Sequence, residues 1–236
     1  MFAIRLLSLG ALLMLLSAAS LLAQQRPATA SPRLEQERQR WNRSLTRDTA
    51  YKFNRQPNAL LMEVAKGRQP GKALDVGMGQ GRNTLFLARQ GWDVTGVDIA
   101  DEAVAEARAQ ARRENLRINA VVSPMETFDY GTNRYDLVAF VYEGCFETHP
   151  EVLASIKQAL KPGGVLVFEF FHREAGVEMN RPDFGCLSGA VQALFANDAR
   201  FKMLRYEEKM GIPDFRSGSN KYHRPLKLVY CVVQKQ

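Results

Sequence analysis

The hydrophobic pattern changes period repeatedly along most of the chain. Short apolar runs predict buried strands, and segments whose apolar residues recur every three or four positions predict helices. Strands are predicted at 72–76, 92–98, 118–122, 135–141 and 165–170, and helices at 59–66, 83–89, 101–114, 151–160 and 187–197. Strands that alternate with helices in this way predict a parallel sheet with right-handed crossovers.

The last part of the chain breaks this alternation. Two apolar runs, 201–208 and 226–233, are separated by a stretch rich in Gly, Pro and Ser that carries no helical pattern. Strands joined without a crossover helix pair as an antiparallel hairpin. The predicted fold is therefore α/β: a Rossmann-like, doubly wound, mostly parallel seven-stranded sheet with a C-terminal antiparallel hairpin strand.

The first predicted strand runs directly into Gly77, Gly79 and Gly81, and a helical pattern follows at once. Glycine allows positive φ and leaves no Cβ between the backbone and a ligand. The following helix points free N–H groups back at the turn. A strand, a glycine-rich turn and a helix in this order predict a nucleotide site.

The glycine spacing decides between classes of nucleotide ligand. A dinucleotide fingerprint reads G-x-G-x-x-G, whereas here the third glycine comes one residue early. Asp75, two positions before Gly77, would repel a pyrophosphate and suits a ligand with a cationic amino-acid end. Asp98 ends the second predicted strand, where a carboxylate can accept hydrogen bonds from both ribose hydroxyls of either ligand class.

This stretch resembles motif I of the class I S-adenosylmethionine-dependent methyltransferases, whose pattern is close to Asp/Glu-x-Gly-x-Gly-x-Gly. The resemblance covers roughly residues 50–236, and it includes the Tyr-Asp-Leu-Val strand from Tyr135 and the Leu-Lys-Pro-Gly-Gly stretch from Leu160. It implies S-adenosylmethionine as the methyl donor and cofactor. The residues that it implies for the donor site are Asp75, Gly77, Met78, Gly79, Gly81, Asp98, Ile99, Met125, Glu126 and Tyr142.

Particular residues stand where the family binds the adenine and the sulfonium. Ser123-Pro124 stands where the family commonly has an Asp after the third strand, so Met125 and Glu126 are the residues left for the adenine. Tyr142 follows the fourth strand, and its aromatic face suits a sulfonium cation.

Methyl transfer requires above all that the acceptor, the methyl carbon and the sulfur are held in line. A base is needed where the acceptor is a neutral hydroxyl or amine, and four candidates lie at or just past strand ends: Glu143, His149, Glu169 and His172. No catalytic base and no metal ligand are assigned. Acceptor-side candidates are Tyr51, Phe53 and Asn54, for which packing of an N-terminal helix is an equal explanation.

The predicted function is S-adenosylmethionine-dependent methyl transfer to an unidentified small molecule, because the chain shows no appended recognition domain and only a short lid region. An NAD-binding oxidoreductase is the second hypothesis, and it would need a Tyr-x-x-x-Lys or similar catalytic pattern. A non-catalytic exported binding module with the same fold is the third. The net charge is +7, but acidic and basic residues are interleaved over 101–114, which is typical of a solvated helix face. No nucleic-acid partner is therefore expected.

The N-terminus has a separate pattern. Residues 1–23 combine a positive start, an apolar run and small residues, which predicts a secretory signal peptide or an uncleaved membrane anchor. Residues 24–50 read as a linker and an N-terminal helix, and 51–236 as the methyltransferase domain. The expected location is exported or periplasmic, or anchored at the inner membrane, or cytoplasmic if the true start lies downstream.

The cysteines Cys145, Cys186 and Cys231 are odd in number and widely spaced. They match neither a zinc pattern nor a disulfide framework. Their expected role is that of small buried apolar residues.

Overall fold

A computed structural model describes residues 31–47, 53–214 and 224–236. The chain divides into two compact units, 1–36 and 37–236. Residues 31–36 of the first unit are described, and they include the start of helix α1 (Pro32–Asn42). The predicted signal or anchor segment and the boundary at residue 51 lie outside the described residues. Within those ranges, no helix has both the length and the apolar character that crossing a membrane requires.

The second unit alternates helices and strands as the sequence predicted. After α1 come a π-helical turn (Arg43–Arg47) and α2 (Ala59–Ala65). The following elements are β1 (Lys72–Val76), α3 (Arg82–Arg89), β2 (Asp93–Asp98), α4 (Asp101–Arg113), β3 (Asn119–Val122), β4 (Tyr135–Val141), a 3₁₀ turn (Phe146–Thr148), α5 (Pro150–Ala159), β5 (Leu160–Phe171), α6 (Arg173–Glu178), α7 (Ala190–Ala196), β6 (Phe201–Gly211) and β7 (Leu226–Lys235).

The strands form a seven-stranded sheet in the order β3-β2-β1-β4-β5-β7-β6. Strands β3, β2, β1, β4 and β5 run parallel, and β7 is antiparallel to both β5 and β6. This confirms the predicted fold class and its C-terminal hairpin. The strand order reverses between β1 and β4, and in open α/β sheets ligands bind at the carboxyl ends of the strands beside such a reversal.

Helices cover both faces of the central strands, which are therefore apolar along nearly their whole length. Leu74, Leu137 and Leu166 are fully buried in β1, β4 and β5. The stripe predicted on α4 is also buried, and it consists of Ala103, Val104, Ala107 and Ala111. Burial of these faces fixes the register and thus the height at which each strand ends.

Two elements differ from the prediction. Helix α6 was not predicted, because six residues are too few to show a helical period. Strand β5 begins at Leu160, before the predicted start at 165. Its first part is irregular, since Gly163 has φ 82° and the β4–β5 register shifts between Tyr135 and Leu137.

Candidate active site

The glycine turn follows β1 and is held against the end of β2. The N–H groups of Gly77 and Met78 both donate to the carbonyl of Val97, at 2.8 and 3.0 Å. The φ angles of Gly77, Gly79 and Gly81 are 68°, 51° and 83°, which side chains other than glycine rarely adopt. Helix α3 begins directly after Gly81 and has no side-chain cap there. Its first N–H groups are thus at the turn.

Asp98 joins the turn to the end of β2. Its Oδ2 accepts a hydrogen bond from the Gly79 N–H at 2.8 Å, and its Oδ1 accepts one from the Ala100 N–H at 2.7 Å. Burial raises the pKa of this carboxyl above its usual range, and the hydrogen bonds from Ala100 and Gly79 oppose that shift. Gly79 and Asp98, predicted as parts of one site, therefore lie in direct contact.

Asp75 lies beneath the turn. It is 1% exposed, and its Oδ2 accepts a hydrogen bond from the Thr84 hydroxyl of α3 at 2.7 Å. Burial raises the pKa of this carboxyl to about 6, although the Thr84 hydrogen bond favours the charged form. The carboxylate thus joins β1 to α3.

The Glu143 side chain extends from the residues after β4 to the turn. A Cβ atom placed on Gly77 would overlap the Glu143 carboxyl group. Burial, followed by the charges of Asp98, Asp75 and Glu126, raises the pKa of Glu143 well above its usual range. Sequence reasoning named Glu143 only as a candidate base, because its spacing from the glycines does not reveal that the two meet.

The other residues of the turn lie close to α4 and to Leu45. The Met78 side chain is 3% exposed and packs with Val104, Ala107 and Ala120, so it belongs to the interior. A Cβ on Gly81 would lie 2.9 Å from the Ala107 Cβ, which requires a glycine where α4 passes. On the opposite side, Leu45 lies 3.6 Å from the position of a Gly79 Cβ.

Three further residues that the resemblance implied for the donor site follow β2 and β3. Ile99 is half-buried directly after β2. Met125 packs against the main core cluster, and its carbonyl accepts a hydrogen bond from the Tyr130 hydroxyl at 3.0 Å. Glu126 is exposed, with Oε1 3.9 Å from Nδ1 of His149.

Tyr142 and Glu169 form a buried pair at the ends of β4 and β5. The Tyr142 hydroxyl donates to Glu169 Oε1 at 2.5 Å. Glu169 is 3% exposed, and its Oε2 accepts a hydrogen bond from the Asn58 side-chain amide at 2.8 Å. Burial and the nearby Asp214 charge raise the pKa of Glu169 to about 7, while Asn58, Tyr142 and Arg82 oppose the shift.

Asp214 links the segment after β6 to the surroundings of the Tyr142–Glu169 pair through hydrogen bonds. Its Oδ2 accepts hydrogen bonds from the Asn58 side-chain amide at 3.0 Å and from the Ala59 N–H at 3.1 Å. Its Oδ1 lies 3.0 Å from Nη2 of Arg82, the first residue of α3. The Asp214 N–H donates to the Tyr142 hydroxyl at 3.3 Å. Residues far apart in sequence thereby reach the glycine turn, which no local pattern could indicate.

The profile of the family described as "Methyltransferase domain" matches residues 73–164, from β1 to the start of β5. These are the elements that carry the glycine turn, Asp98 and Tyr142. Residues 73–164 thus carry the core of a class I S-adenosylmethionine-dependent methyltransferase domain.

Several known proteins are similar in sequence to this chain. It is 27% identical over 183 residues to hemagglutinin 1 of Eikenella corrodens, covering 75% of this chain and 58% of that one. It is 31% identical over 107 residues to a probable S-adenosyl-L-methionine-dependent methyltransferase, TehB, of Haemophilus influenzae, covering 44% and 37%. The ribosomal RNA small subunit methyltransferase C of Alcanivorax borkumensis is 32% identical over 120 residues, covering 46% and 36%. The chain therefore spans less than two thirds of the length of these relatives.

The solved structure of TehB from Haemophilus influenzae is similar in fold to this chain. The two superpose with a TM-score of 0.62 at 22% identity, over 75% of this chain and 61% of that one. At this identity the likeness supports the fold and leaves the acceptor open.

The remaining candidates are His172, Asn54, Phe53 and Tyr51. His172 is 2% exposed and caps α6, where its Nδ1 accepts a hydrogen bond from the Glu174 N–H at 3.1 Å. Its Nε2 lies 3.3 Å from the Glu208 carboxylate. Asn54 accepts a hydrogen bond from the Gln56 N–H at 3.0 Å, and Phe53 is half-buried. Tyr51 lies outside the described residues.

Cys145 and Cys186 form a disulfide, with Cα atoms 5.4 Å apart. The expectation that these two cysteines are separate apolar residues was therefore wrong. Spacing could not reveal the pair, because the loop after β4 and the segment before α7 meet only in the folded chain. Cys231 is buried, as expected, and burial raises the pKa of its thiol to about 12.

Proposed function

We propose that this methyltransferase binds S-adenosylmethionine across the glycine turn and transfers the methyl group to a small-molecule acceptor. The observation that carries the proposal is the contact between Asp98 and the N–H of Gly79 at the end of β2. S-Adenosylmethionine is a co-substrate here, since each turnover consumes it and leaves S-adenosylhomocysteine.

The residues at the turn fit the two ends of this co-substrate. The Asp98 oxygens each accept one backbone hydrogen bond, and a carboxylate oxygen can accept a further one from a ribose hydroxyl. The Glu143 carboxyl group lies against Gly77, and the arrival of a cationic amino-acid end beside it would favour its ionised form. This is the role that the sequence suggested for Asp75, whose carboxylate is bound to Thr84 instead.

The protein's contribution to the transfer is to hold the reactants in line. An alignment of this kind lowers the barrier because translational and rotational freedom has already been lost on binding. With an anionic acceptor, the positive charge of the sulfonium is neutralised in the transition state, so an environment without water favours the transition state over the charged reactants. Tyr142, with Phe171 at a ring-centroid distance of 5.4 Å, provides apolar surface at the strand ends.

Two observations favour a small molecule over RNA as the acceptor. Arginines at this edge of the sheet are paired with carboxylates: Arg82 pairs with Asp214 at the start of α3, and Arg47 pairs with Glu102 at the start of α4. An RNA site needs unpaired basic groups along the path of the phosphates. The aromatic side chains beyond β4 and β5 suit an apolar acceptor. RNA remains the alternative outcome of the test, as one relative is named for ribosomal RNA methylation.

We also propose that the protein works in an oxidising compartment outside the cytoplasm. The N-terminal pattern of residues 1–23 supports export. The disulfide between Cys145 and Cys186 supports it independently, because such bonds are rare in cytosolic proteins.

Calorimetric titration of the full chain with S-adenosylmethionine and, separately, with NAD tests the proposal. We expect saturable binding of S-adenosylmethionine alone. Asp98→Ala should weaken it at least about tenfold through loss of the hydroxyl contacts. Binding of NAD alone, or of neither ligand, would contradict the proposal, and binding without transfer to any small molecule or RNA would favour the non-catalytic module.

A further inference from the structure

The backbone on both sides of Glu143 directs its side chain at the glycine turn. Tyr142 has φ 63° and Gly144 has φ 145°, and for a bulky residue such as Tyr142 a positive φ persists only where the surroundings enforce it. The Tyr142 N–H donates to the carbonyl of Glu169 at 2.9 Å, which holds this reversal of the chain against β5. A Cβ on Gly77 would overlap the Glu143 carboxyl group, so the loop brings that group to the first glycine of the turn.

Glu143 lacks the partners that a carboxyl group in such a place normally has. In the part of the chain that the structure describes, no group donates a hydrogen bond to Glu143 and no cation pairs with it. Arg82, the first residue of the adjoining helix α3, is paired with Asp214 instead. Carboxyl groups that are removed from water are normally paired or hydrogen-bonded. The Glu143 side chain is only half-buried, so a ligand in the turn can reach it and become its partner.

The titratable groups around Glu143 come from several elements and are mostly acidic. They are Asp75 of β1, Asp98 of β2, Glu126 after β3, Tyr130 before β4 and His149 before α5. Burial and the charges of the three carboxylates raise the pKa of Glu143 well above its usual range. The free protein therefore keeps a proton on Glu143 to a higher pH than an ordinary carboxyl group would, and a cation placed beside the group would reverse this shift.

We propose that Glu143 binds the α-ammonium group of S-adenosylmethionine and releases its own proton to solvent when the donor enters. This inference rests on the proposed function and assigns the residue that recognises the amino-acid end of the donor. The step is an acid–base exchange. The neutral carboxyl group gives one proton to the buffer, and the resulting carboxylate accepts a hydrogen bond from the ammonium group, which keeps its three protons. Donor affinity is thereby coupled to pH.

The donor carries two cationic groups, and hydrogen bonding distinguishes them. An ammonium group has three N–H donors, which suit a carboxylate whose lone pairs are unused, whereas the sulfonium has no hydrogen to donate. S-Adenosylhomocysteine lacks the sulfonium charge and keeps the ammonium group. It should therefore cause the same proton release as S-adenosylmethionine.

The test compares two ligands that differ in the amino group alone. One is S-adenosylhomocysteine, and the other is its deaminated analogue, in which hydrogen replaces the amino group. The matched pair is needed because the Asp98 carboxyl group, whose pKa is also raised by burial, contacts the ribose of both ligands in the proposed complex. Proton release by Asp98 therefore cancels in the comparison.

Calorimetric titration of the full chain in two buffers of different ionisation enthalpy gives the number of protons released per bound ligand. It is made from about pH 5 to about pH 7, where the amino group, with an ordinary pKa near about 8, is charged. Each ligand is titrated into the wild type, Glu143→Gln and Glu151→Gln. The last is the matched control, because Glu151 is an exposed carboxyl group of α5. Circular dichroism checks the folding of both variants.

For the wild type we expect S-adenosylhomocysteine to release up to about one proton more than the deaminated analogue. Glu143→Gln should remove this difference. It should also weaken S-adenosylhomocysteine binding at least about tenfold, through loss of a hydrogen bond between charged groups, and change the affinity for the deaminated analogue less than about threefold. Glu151→Gln should behave as the wild type does, and S-adenosylmethionine should release as many protons as S-adenosylhomocysteine.

Equal proton release for the two matched ligands would overturn the inference. A release that S-adenosylmethionine alone produces would also overturn it, because the sulfonium would then be the partner. Equal losses of affinity for both matched ligands in Glu143→Gln would indicate a structural role and do the same. If Glu143→Gln does not fold, the comparison of the two ligands on the wild type decides. Failure of the wild type to bind S-adenosylmethionine and S-adenosylhomocysteine would refute the proposed function itself.

Discussion

The disulfide between Cys145 and Cys186 gives a prediction whose size follows from the chain. The two cysteines are 41 residues apart in sequence. Closing a loop of that length in the unfolded chain removes entropy worth about 4 kcal/mol at 25 °C. The bond should therefore raise the free energy of unfolding by about that amount, and the thermal midpoint by roughly 10 °C for a domain of this size.

The perturbation is made in two independent ways. One is the double variant Cys145→Ser/Cys186→Ser, and the other is reduction of the wild type with dithiothreitol. Urea unfolding followed by circular dichroism gives the free energy of unfolding for each. The double variant also serves as the control for the reductant, which should leave its stability unchanged because its remaining cysteine, Cys231, is free.

A thiol count tests the premise of this reasoning. Unfolded, unreduced protein should show one reactive thiol, that of Cys231, and reduction should raise the count to the full three cysteines. Three thiols before reduction would refute the pairing. A stability loss below about 1 kcal/mol with the pairing present would refute the loop-entropy argument.

Three further predictions test the glycine turn, the buried carboxyl groups and the contact of Asn42 with α4. Gly77→Ala should abolish S-adenosylmethionine binding in calorimetry, because its Cβ overlaps Glu143; Gly67→Ala, at φ 77° with open space around it, is the matched control and should bind normally. Asp75 and Glu169 have pKa values raised to about 6 and about 7, so protonation favours the folded state. The free energy of unfolding should rise as the pH falls from about 8 to about 5, by about 2.5 kcal/mol for Glu169 and about 1.4 kcal/mol for Asp75, and Asp75→Asn should remove its share in urea titrations. The Asn42 side chain forms hydrogen bonds with the Asp101 side chain and with the Glu102 N–H at the start of α4. Asn42→Ala should lower the free energy of unfolding by about 1–2 kcal/mol in the same urea titration. An unchanged urea midpoint would contradict a stabilising role of these hydrogen bonds.

The parts of the fold that sequence could predict are those set by local patterns. Strand β4 (Tyr135–Val141) was placed at its observed bounds, because a mostly apolar run between polar turns leaves little freedom. The predicted start of α2 at residue 59 was also correct, and the Asn58 side chain caps this helix by accepting a hydrogen bond from the Leu61 N–H at 2.9 Å. The glycine turn and Asp98 were found together because their spacing reflects one strand–turn–helix unit and its neighbouring strand.

The parts that escaped prediction depend on contacts between distant segments. Asn58 and Glu169 are 111 positions apart, and Asn58 and Asp214 are 156 apart. No periodicity reports such a meeting, which is fixed only once the sheet order is known. The same reason explains why Glu143 was named without its place against Gly77, and why two of the three cysteines were misread.

The two edges of the sheet have a consequence for the behaviour of the protein at high concentration. An unpaired edge strand is a template on which another chain can add a strand and begin to aggregate. Strand β3 offers only four residues for this. Strand β6 is 11 residues long, but its register with β7 shifts between Met203 and Arg205, and charged side chains such as Lys202, Glu207 and Lys209 interrupt its surface. Edge-to-edge assembly is thereby disfavoured at both ends of the sheet.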